Sequence, residues 1–215
     1  MIIPMNLIFD FDGTLADTSK LIVTTMQKSI EECGLPFKTE DEIKSTIGVR
    51  LEEIPSILWP EIQNLNKKLA ATYRKNFEII QKSVQVSLFP GVKQTLEYLS
   101  KNGIKMAVAT SRSTQSVMDL AKKLDIIDYF EYILGGDKVT EGKPSPESIF
   151  KILEVTDKKV KDTLMVGDMP VDILMAKNAG TKSCGVTYGN SNEIDLKRAG
   201  ADYIITQFTD LPKII

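Results

Sequence analysis

From Val84 onward the chain alternates short apolar runs with longer amphipathic stretches, and this alternation restricts its fold more than any other feature. Met106-Ala107-Val108-Ala109, Tyr132-Ile133-Leu134, Thr163-Leu164-Met165-Val166, the run around Cys184-Gly185-Val186, and Tyr203-Ile204-Ile205 read as strands. Between them the pattern predicts helices near 91–102 and 114–124, one from Ser145-Pro146 to about Val155, one ending at Gly180, and one ending at Ala199. Gly103 suits the residue just past a helix, and Ser145-Pro146 reads as an N-cap with proline at the first helical position. Alternation of this kind implies a parallel sheet with helices on both faces, an α/β fold.

One strand precedes this region. Leu7-Ile8-Phe9 is an apolar run that reads as buried on both faces, and it ends in Asp10, with Asp12 two residues later. Side chains two apart on an extended backbone share a side, so both carboxylates can face one pocket. Gly13 then permits a tight turn. Like charges set side by side repel unless a cation or a proton lies between them. Ordinary strand-to-turn punctuation is the plainer reading of the same residues.

Between these regions the chain reads as helices only. Asp17-Thr18-Ser19 offers N-cap chemistry for a helix to about Glu32, closed by Gly34 and Pro36. Thr39-Glu40-Asp41-Glu42 is a capping box for a short helix ending near Gly48. Pro55 and Pro60 bracket Trp59, and Ile62, Leu65, Leu69, Tyr73, Phe77 and Ile80 then recur at helical spacing. From 17 to 84 no strand is expected until the extended run Val84-Gln85-Val86-Ser87-Leu88. A helical block therefore interrupts the sheet core after its first strand.

Composition narrows the chemistry. With 215 residues, 42% apolar and 26% charged, the chain fits one sizeable core with an inserted unit. Lysine and arginine number 27 against 29 acids, a net charge of −2, so no general attraction to nucleic acid or anionic membrane is expected. No apolar run has the length of a spanning helix. Met1-Ile2-Ile3-Pro4 lacks a basic flank, so a signal peptide is not expected there. Cys33 and Cys184 show no paired spacing and read as free thiols in a reducing cytoplasm. The absence of histidine is decisive, because it removes Ser-His-Asp and Cys-His catalysis and histidine zinc sites. Acid–base and nucleophilic work falls to carboxylates, lysine, cysteine or hydroxyls.

Ligands of open parallel sheets sit beyond the carboxyl ends of the strands. Those ends deliver Asp10 and Asp12, then Thr110-Ser111-Arg112, then Gly167-Asp168 with Asp172 one helical turn on. Gly142-Lys143-Pro144-Ser145-Pro146 fixes a lysine in a stiff loop between the last two. Singly, Thr110-Ser111 reads as a helix cap, Lys143 as a solvated lysine and Asp168 as turn chemistry. Collected at one sheet edge, they describe a site for a phosphate and a hard divalent cation such as Mg2+, with Lys143 as the nearby cation. An aspartate near the phosphorus can serve as nucleophile, giving an acyl phosphate.

In order and spacing, Asp10-Phe11-Asp12-Gly13-Thr14-Leu15, Thr110-Ser111, Gly142-Lys143-Pro144 and Gly167-Asp168-Met169-Pro170-Val171-Asp172 resemble the haloacid dehalogenase superfamily, in its branch with a helical cap. The resemblance covers essentially the whole chain, with phosphoglycolate phosphatase-like and β-phosphoglucomutase-like members nearest in look. It implies a Rossmann-like core of residues 1–16 and 85–215 and a helical cap of residues 17–84. Asp10 would be the nucleophile and Asp12 the general acid and base. Thr110, with Ser111, would hold the phosphoryl group, and Lys143 would neutralise it and orient Asp10. Magnesium would take the Asp10 carboxylate, the Asp12 main-chain carbonyl and Asp168, with Asp172 supporting.

A magnesium-dependent phosphatase of a small phosphorylated metabolite is the expected function, acting in the cytoplasm as a monomer or homodimer. The alternative on the same scaffold is a phosphosugar mutase. Such mutases resemble a Gly-x-Ser-Arg cap pattern, whereas this chain reads Gly48-Val49-Arg50. Dehalogenation is disfavoured, since halide displacement does not need the acid–base group Asp12. A phospho-acceptor receiver module is the remote alternative, but receivers are shorter and lack an inserted helical block. Arg50 has two readings, a substrate-binding arm at a helix end or a solvated arginine after a C-terminal glycine.

Overall fold

The strand Asn6–Phe9 (β1) lies at the centre of the sheet, and its residues show why. Leu7 and Phe9 point to one face and Ile8 to the other, and all three are buried. Such a strand needs a paired neighbour on each edge and cover on each face. The computed structural model describes residues 6–62 and 64–215, and among them six parallel strands form the main sheet. The other five are β4 (Lys105–Ala109), β5 (Tyr132–Leu134), β6 (Thr163–Gly167), β7 (Lys182–Val186) and β8 (Tyr203–Ile205). Their order is β5-β4-β1-β6-β7-β8. The Met1-Ile2-Ile3-Pro4 stretch lies outside the described residues.

The order makes a crevice. From β4 the chain moves outward to β5, then returns across β1 to begin again at β6 and move outward the other way. The winding reverses beside β1, which is where an open α/β sheet leaves room for a ligand. Register sharpens the point. Phe9 pairs with both Val108 and Val166, so Asp10, Thr110 and Asp168 emerge within two residues of the same level.

Helices cover both faces as expected. Leu7, Phe9, Val108 and Val166 pack with α5 (Val92–Lys101), α6 (Thr114–Lys123) and the C-terminal Phe208 and Leu211. Ile8, Ala107 and Met165 pack with α7 (Glu147–Thr156) and α8 (Pro170–Ala179). A short helix, α9 (Glu193–Ala199), precedes β8. No described helix is long and apolar enough to cross a membrane.

The helical block consists of α1 (Ser19–Cys33), α2 (Glu40–Lys44), α3 (Ile54–Leu58) and α4 (Asn66–Ile80). It has its own apolar cluster of Val23, Met26, Ile30, Ile43, Ile54, Leu58, Trp59 and Leu69. The predicted capping box is present, with Thr39 accepting from the Glu42 amide and Glu42 accepting from the Thr39 amide. Two short strands frame the block, β2 (Ala16–Asp17) and β3 (Ser87–Leu88), paired antiparallel. Of the extended run Val84–Leu88, only Ser87–Leu88 is strand. The strand β2 gave no sequence signal, because two residues carry no periodicity.

Three local expectations are corrected. Thr18 precedes α1 but makes no side-chain cap, since its φ of −107° and ψ of −1° lie outside the extended capping geometry and its hydroxyl is buried instead. Pro146 is the cap residue of α7 rather than its first helical residue, and the helix starts at Glu147. Arg50 neither reaches into a ligand cavity nor lies free in solvent. Its guanidinium donates to the Gly136, Val139 and Thr140 carbonyls, clasping the helical block to the loop after β5. The loop after α2 turns at Gly48 (φ 90°), which sets Arg50 against that loop. Arg50→Ala leaves those carbonyls without their charged donor. It is expected to lower the unfolding free energy by about 1–3 kcal/mol in urea denaturation. A change within about 0.5 kcal/mol would mark Arg50 as an ordinary surface residue.

Candidate active site

At the carboxyl edge of the sheet the first residue past β1 is Asp10, fixed by its amide donating to the Val166 carbonyl at 2.9 Å. Its side chain is buried. One oxygen, Oδ1, accepts from Lys143 Nζ at 2.7 Å, while Oδ2 has no hydrogen-bond partner among the described residues. Lys143 donates equally to Asp172 Oδ1 at 2.7 Å, so a single ammonium bridges two carboxylates. Asp172 is placed by the start of α8, where its Oδ2 accepts from the Met169 amide at 3.0 Å. An acid at a helix N-terminus is electrostatically favoured, which helps account for its burial.

Asp168, one residue past β6, is the third member. Its Oδ2 accepts from the Asn190 amide and side chain, both at 2.8 Å, and its Oδ1 accepts from the Thr14 hydroxyl at 3.1 Å. Asp10, Asp168 and Asp172 each offer an oxygen within 4.8 Å of the others. Gly13 and Gly189 make the crowding possible. A Cβ on Gly13, whose φ is +84°, would meet Asp168 Oδ2 at 2.2 Å, and one on Gly189 would meet the Gly13 carbonyl at 2.4 Å.

Burial dominates the electrostatics. It pushes Asp10 well above the usual carboxylate range; Lys143 draws it back, while Asp172, Asp168 and Asp12 push further. Burial likewise raises Asp168 to about 7, with Asp172 adding and the Asn190 hydrogen bonds opposing. For Lys143 burial acts downward, but Asp10 and Asp172 outweigh it and hold the ammonium above the ordinary lysine value. Three buried carboxylates around one ammonium, with an unpartnered oxygen among them, fit a hard divalent cation that takes oxygen donors.

Asp12 lines the same cavity as Asp10, as its spacing suggests, and its carboxylate stands outside the cluster of three, paired with Arg112. Arg112 Nη2 donates to Oδ1 at 2.5 Å and Nε to Oδ2 at 3.2 Å, a two-pronged pair that occupies both oxygens. Arg112 also donates to Ser116 Oγ at 3.1 Å and lies over the Phe77 ring, 5.1 Å from its centroid. Lys143 is therefore not the sole cation of the site, as the sequence reading had it. Thr110 is buried beside the pair and its hydroxyl oxygen accepts from the Arg112 amide at 3.2 Å, leaving the O–H to donate. Ser111 donates to the Gly48 carbonyl at 2.6 Å and so ties this strand end to the helical block.

Asn190 and Gly189 carry no sequence signal of their own; they lie three to four residues past the end of β7, whereas Asp168 directly follows β6. Asn190 also accepts from Ser19 at 2.7 Å, joining the start of α1 to Asp168. Arg50 lies outside the cavity, on the clasp described above.

Asp10, Asp12, Thr110 and Arg112 face a cavity of about 560 Å³ between the sheet edge and the helical block. Its far walls are Ile22 and Met26 of α1, Ile47 and Val49 from the segment after α2, Ile54 at the start of α3, and Tyr73 and Phe77 of α4. An aspartate with one oxygen free, a hydroxyl, an ammonium and a carboxylate cluster can together bind a phosphoryl group beside a cation.

Known proteins carry the same arrangement of sequence and fold. Residues 7–186 match the family model for haloacid dehalogenase-like hydrolases. A phosphoglycolate phosphatase of Vibrio parahaemolyticus is 31% identical over 214 residues, covering 96% of this chain and 94% of that protein. A phosphoglycolate phosphatase of Aquifex aeolicus is 30% identical over 216 residues, covering 97% and 95%. The structure of a haloacid dehalogenase-like family hydrolase from Streptococcus pneumoniae superimposes with a TM-score of 0.87 at 25% identity, covering 100% of this chain and 99% of that one. With the family model matching most of its length and relatives of 30–31% identity aligned nearly end to end, this chain belongs to the haloacid dehalogenase-like hydrolases.

Proposed function

We propose that this protein is a magnesium-dependent phosphatase of small phosphomonoesters, with residues 17–84 forming a cap over a core of residues 1–16 and 85–215. The observation that carries this reading is the state of Asp10. One carboxylate oxygen is held by Lys143 while the other is buried and unpartnered, on a residue that lines the cavity. That is how a nucleophile with a fixed approach direction is presented. Relatives named phosphoglycolate phosphatase support the reaction class. The free thiols Cys33 and Cys184 suit a reducing cytoplasm.

The chain's own groups divide the reaction between them. An oxygen of Asp10 attacks phosphorus, the ester P–O bond breaks, and an aspartyl phosphate forms. Asp12 donates a proton to the departing alcohol oxygen. It then takes a proton from a water that attacks the same phosphorus, and the bond to Asp10 breaks to release phosphate. Thr110 and Lys143 donate to the phosphoryl oxygens as charge develops on them. Asp10, Asp168 and the Asp12 main-chain carbonyl would hold magnesium, with Asp172 close by, and the bound ion would neutralise the dianionic phosphate. Arg112 gives one hydrogen bond to each oxygen of Asp12, which leaves a lone pair on each for the proton that Asp12 carries.

Two outcomes follow. Asp10→Asn is expected to abolish turnover of p-nitrophenyl phosphate, and Asp12→Asn to lower kcat on alkyl phosphates by about 10²–10⁴. Full activity of Asp10→Asn would overturn the assignment. Magnesium is also expected to raise the melting temperature, more at about pH 8 than at about pH 5.5. The sign follows from Asp168: with a folded value of about 7 it is mostly protonated at the lower pH, and a cation binds the ionised carboxylate. Differential scanning fluorimetry with magnesium and with chelator measures this. Equal shifts at both pH values would remove Asp168 from the binding set.

A further inference from the structure

We propose that the favoured substrate is a phosphomonoester of a bulky, largely apolar alcohol rather than of a short acid such as glycolate. This inference rests on the phosphatase reading and concerns what fills the space beyond the phosphoryl group. A volume of about 560 Å³ lies within the range of roughly 300–1,000 Å³ found for pockets that take larger organic ligands. A two-carbon leaving group would leave most of it to water.

The walls agree with the volume. Opposite Asp10 and Thr110 the helical block presents Ile22, Met26, Ile47, Val49, Ile54 and Phe77. Met26, Ile47 and Ile54 are buried although they border the cavity, so a ligand here would meet hydrocarbon on several sides.

Charge argues the same way. A second carboxylate on the substrate needs a cation with unshared donors. Three basic residues line the cavity: Arg74, Lys75 and Arg112. Arg112 is committed to both oxygens of Asp12 and to Ser116. Arg74 pairs with Glu52, and Lys75 lies 3.8 Å from Glu32; both side chains are mostly exposed. Against these stand Asp10, Asp12, Glu52, Glu78 and Asp137 on the same lining. A glycolate carboxylate would enter a region where five acids face three basic residues, each of which already has an acidic neighbour. An alkyl or aryl group meets no such opposition.

The test is a series of straight-chain alkyl phosphates, ethyl, butyl and hexyl, with phosphoglycolate alongside and magnesium present. Primary alcohols have nearly equal leaving ability, so differences in kcat/KM report on the walls and not on the chemistry. The expected result is a rise of about two- to fourfold per added methylene, since burying each one is worth up to about 0.8 kcal/mol. Hexyl phosphate should exceed phosphoglycolate by at least about tenfold on this slope. Val49→Lys, at a half-buried wall position, is expected to flatten the slope, with hexyl phosphate losing more than ethyl phosphate. A flat series, or phosphoglycolate as the best of the four, overturns the proposal while hydrolysis itself leaves the phosphatase reading standing. No hydrolysis of any ester, p-nitrophenyl phosphate included, overturns both.

Discussion

Lys143 is the group on which the site's electrostatics depend. Asp10, Asp168 and Asp172 are buried within reach of one another, and removing even one charge from water costs several kcal/mol after relaxation. A single ammonium, 2.7 Å from both Asp10 and Asp172, offsets part of that cost. The rest shows in the raised values of Asp10 and Asp168, a charge imbalance that a divalent cation would relieve. Asn190, Thr14 and the Met169 amide supply the neutral donors that make such burial tolerable.

Topology does the gathering. Because Phe9, Val108 and Val166 share one register, the residues that follow them reach the same edge without any long loop. The lysine comes from outside this scheme, from a loop between β5 and α7, and reaches the cluster only because its long side chain is buried there. Gly13 then lets the chain turn away at once and makes room for Asp168.

This division explains what was legible in the sequence. Strands buried on both faces, and acids placed just past their ends, are local patterns, so Asp10, Thr110, Asp168 and the sheet around them could be read directly. The Arg112–Asp12 pair joins residues one hundred positions apart, and no local spacing announces it. Arg50 illustrates the same limit. Its neighbours in sequence allow either a ligand arm or a solvated side chain, and only packing brings it to three carbonyls some ninety residues away. Asn190 is a different kind of miss, because it lies four residues past β7, beyond the strand-end positions at which Asp10 and Asp168 were found.

The helical block is more than a cover, because α4 belongs to two cores at once. Its Leu69 packs within the block's own cluster, whereas Phe77 and Ile80 pack within the sheet's main cluster. Phe77 also carries the Arg112 guanidinium on its ring, and Arg112 in turn occupies Asp12. The wall of the cavity and the pairing of its acid thus rest on one side chain. Ser111 to Gly48, Ser19 to Asn190 and the Arg50 clasp join the two parts at separate points. The core edge supplies the carboxylates, hydroxyls and arginine of the cavity, while apolar side chains of α1, α3, α4 and the segment between α2 and α3 form its opposite wall.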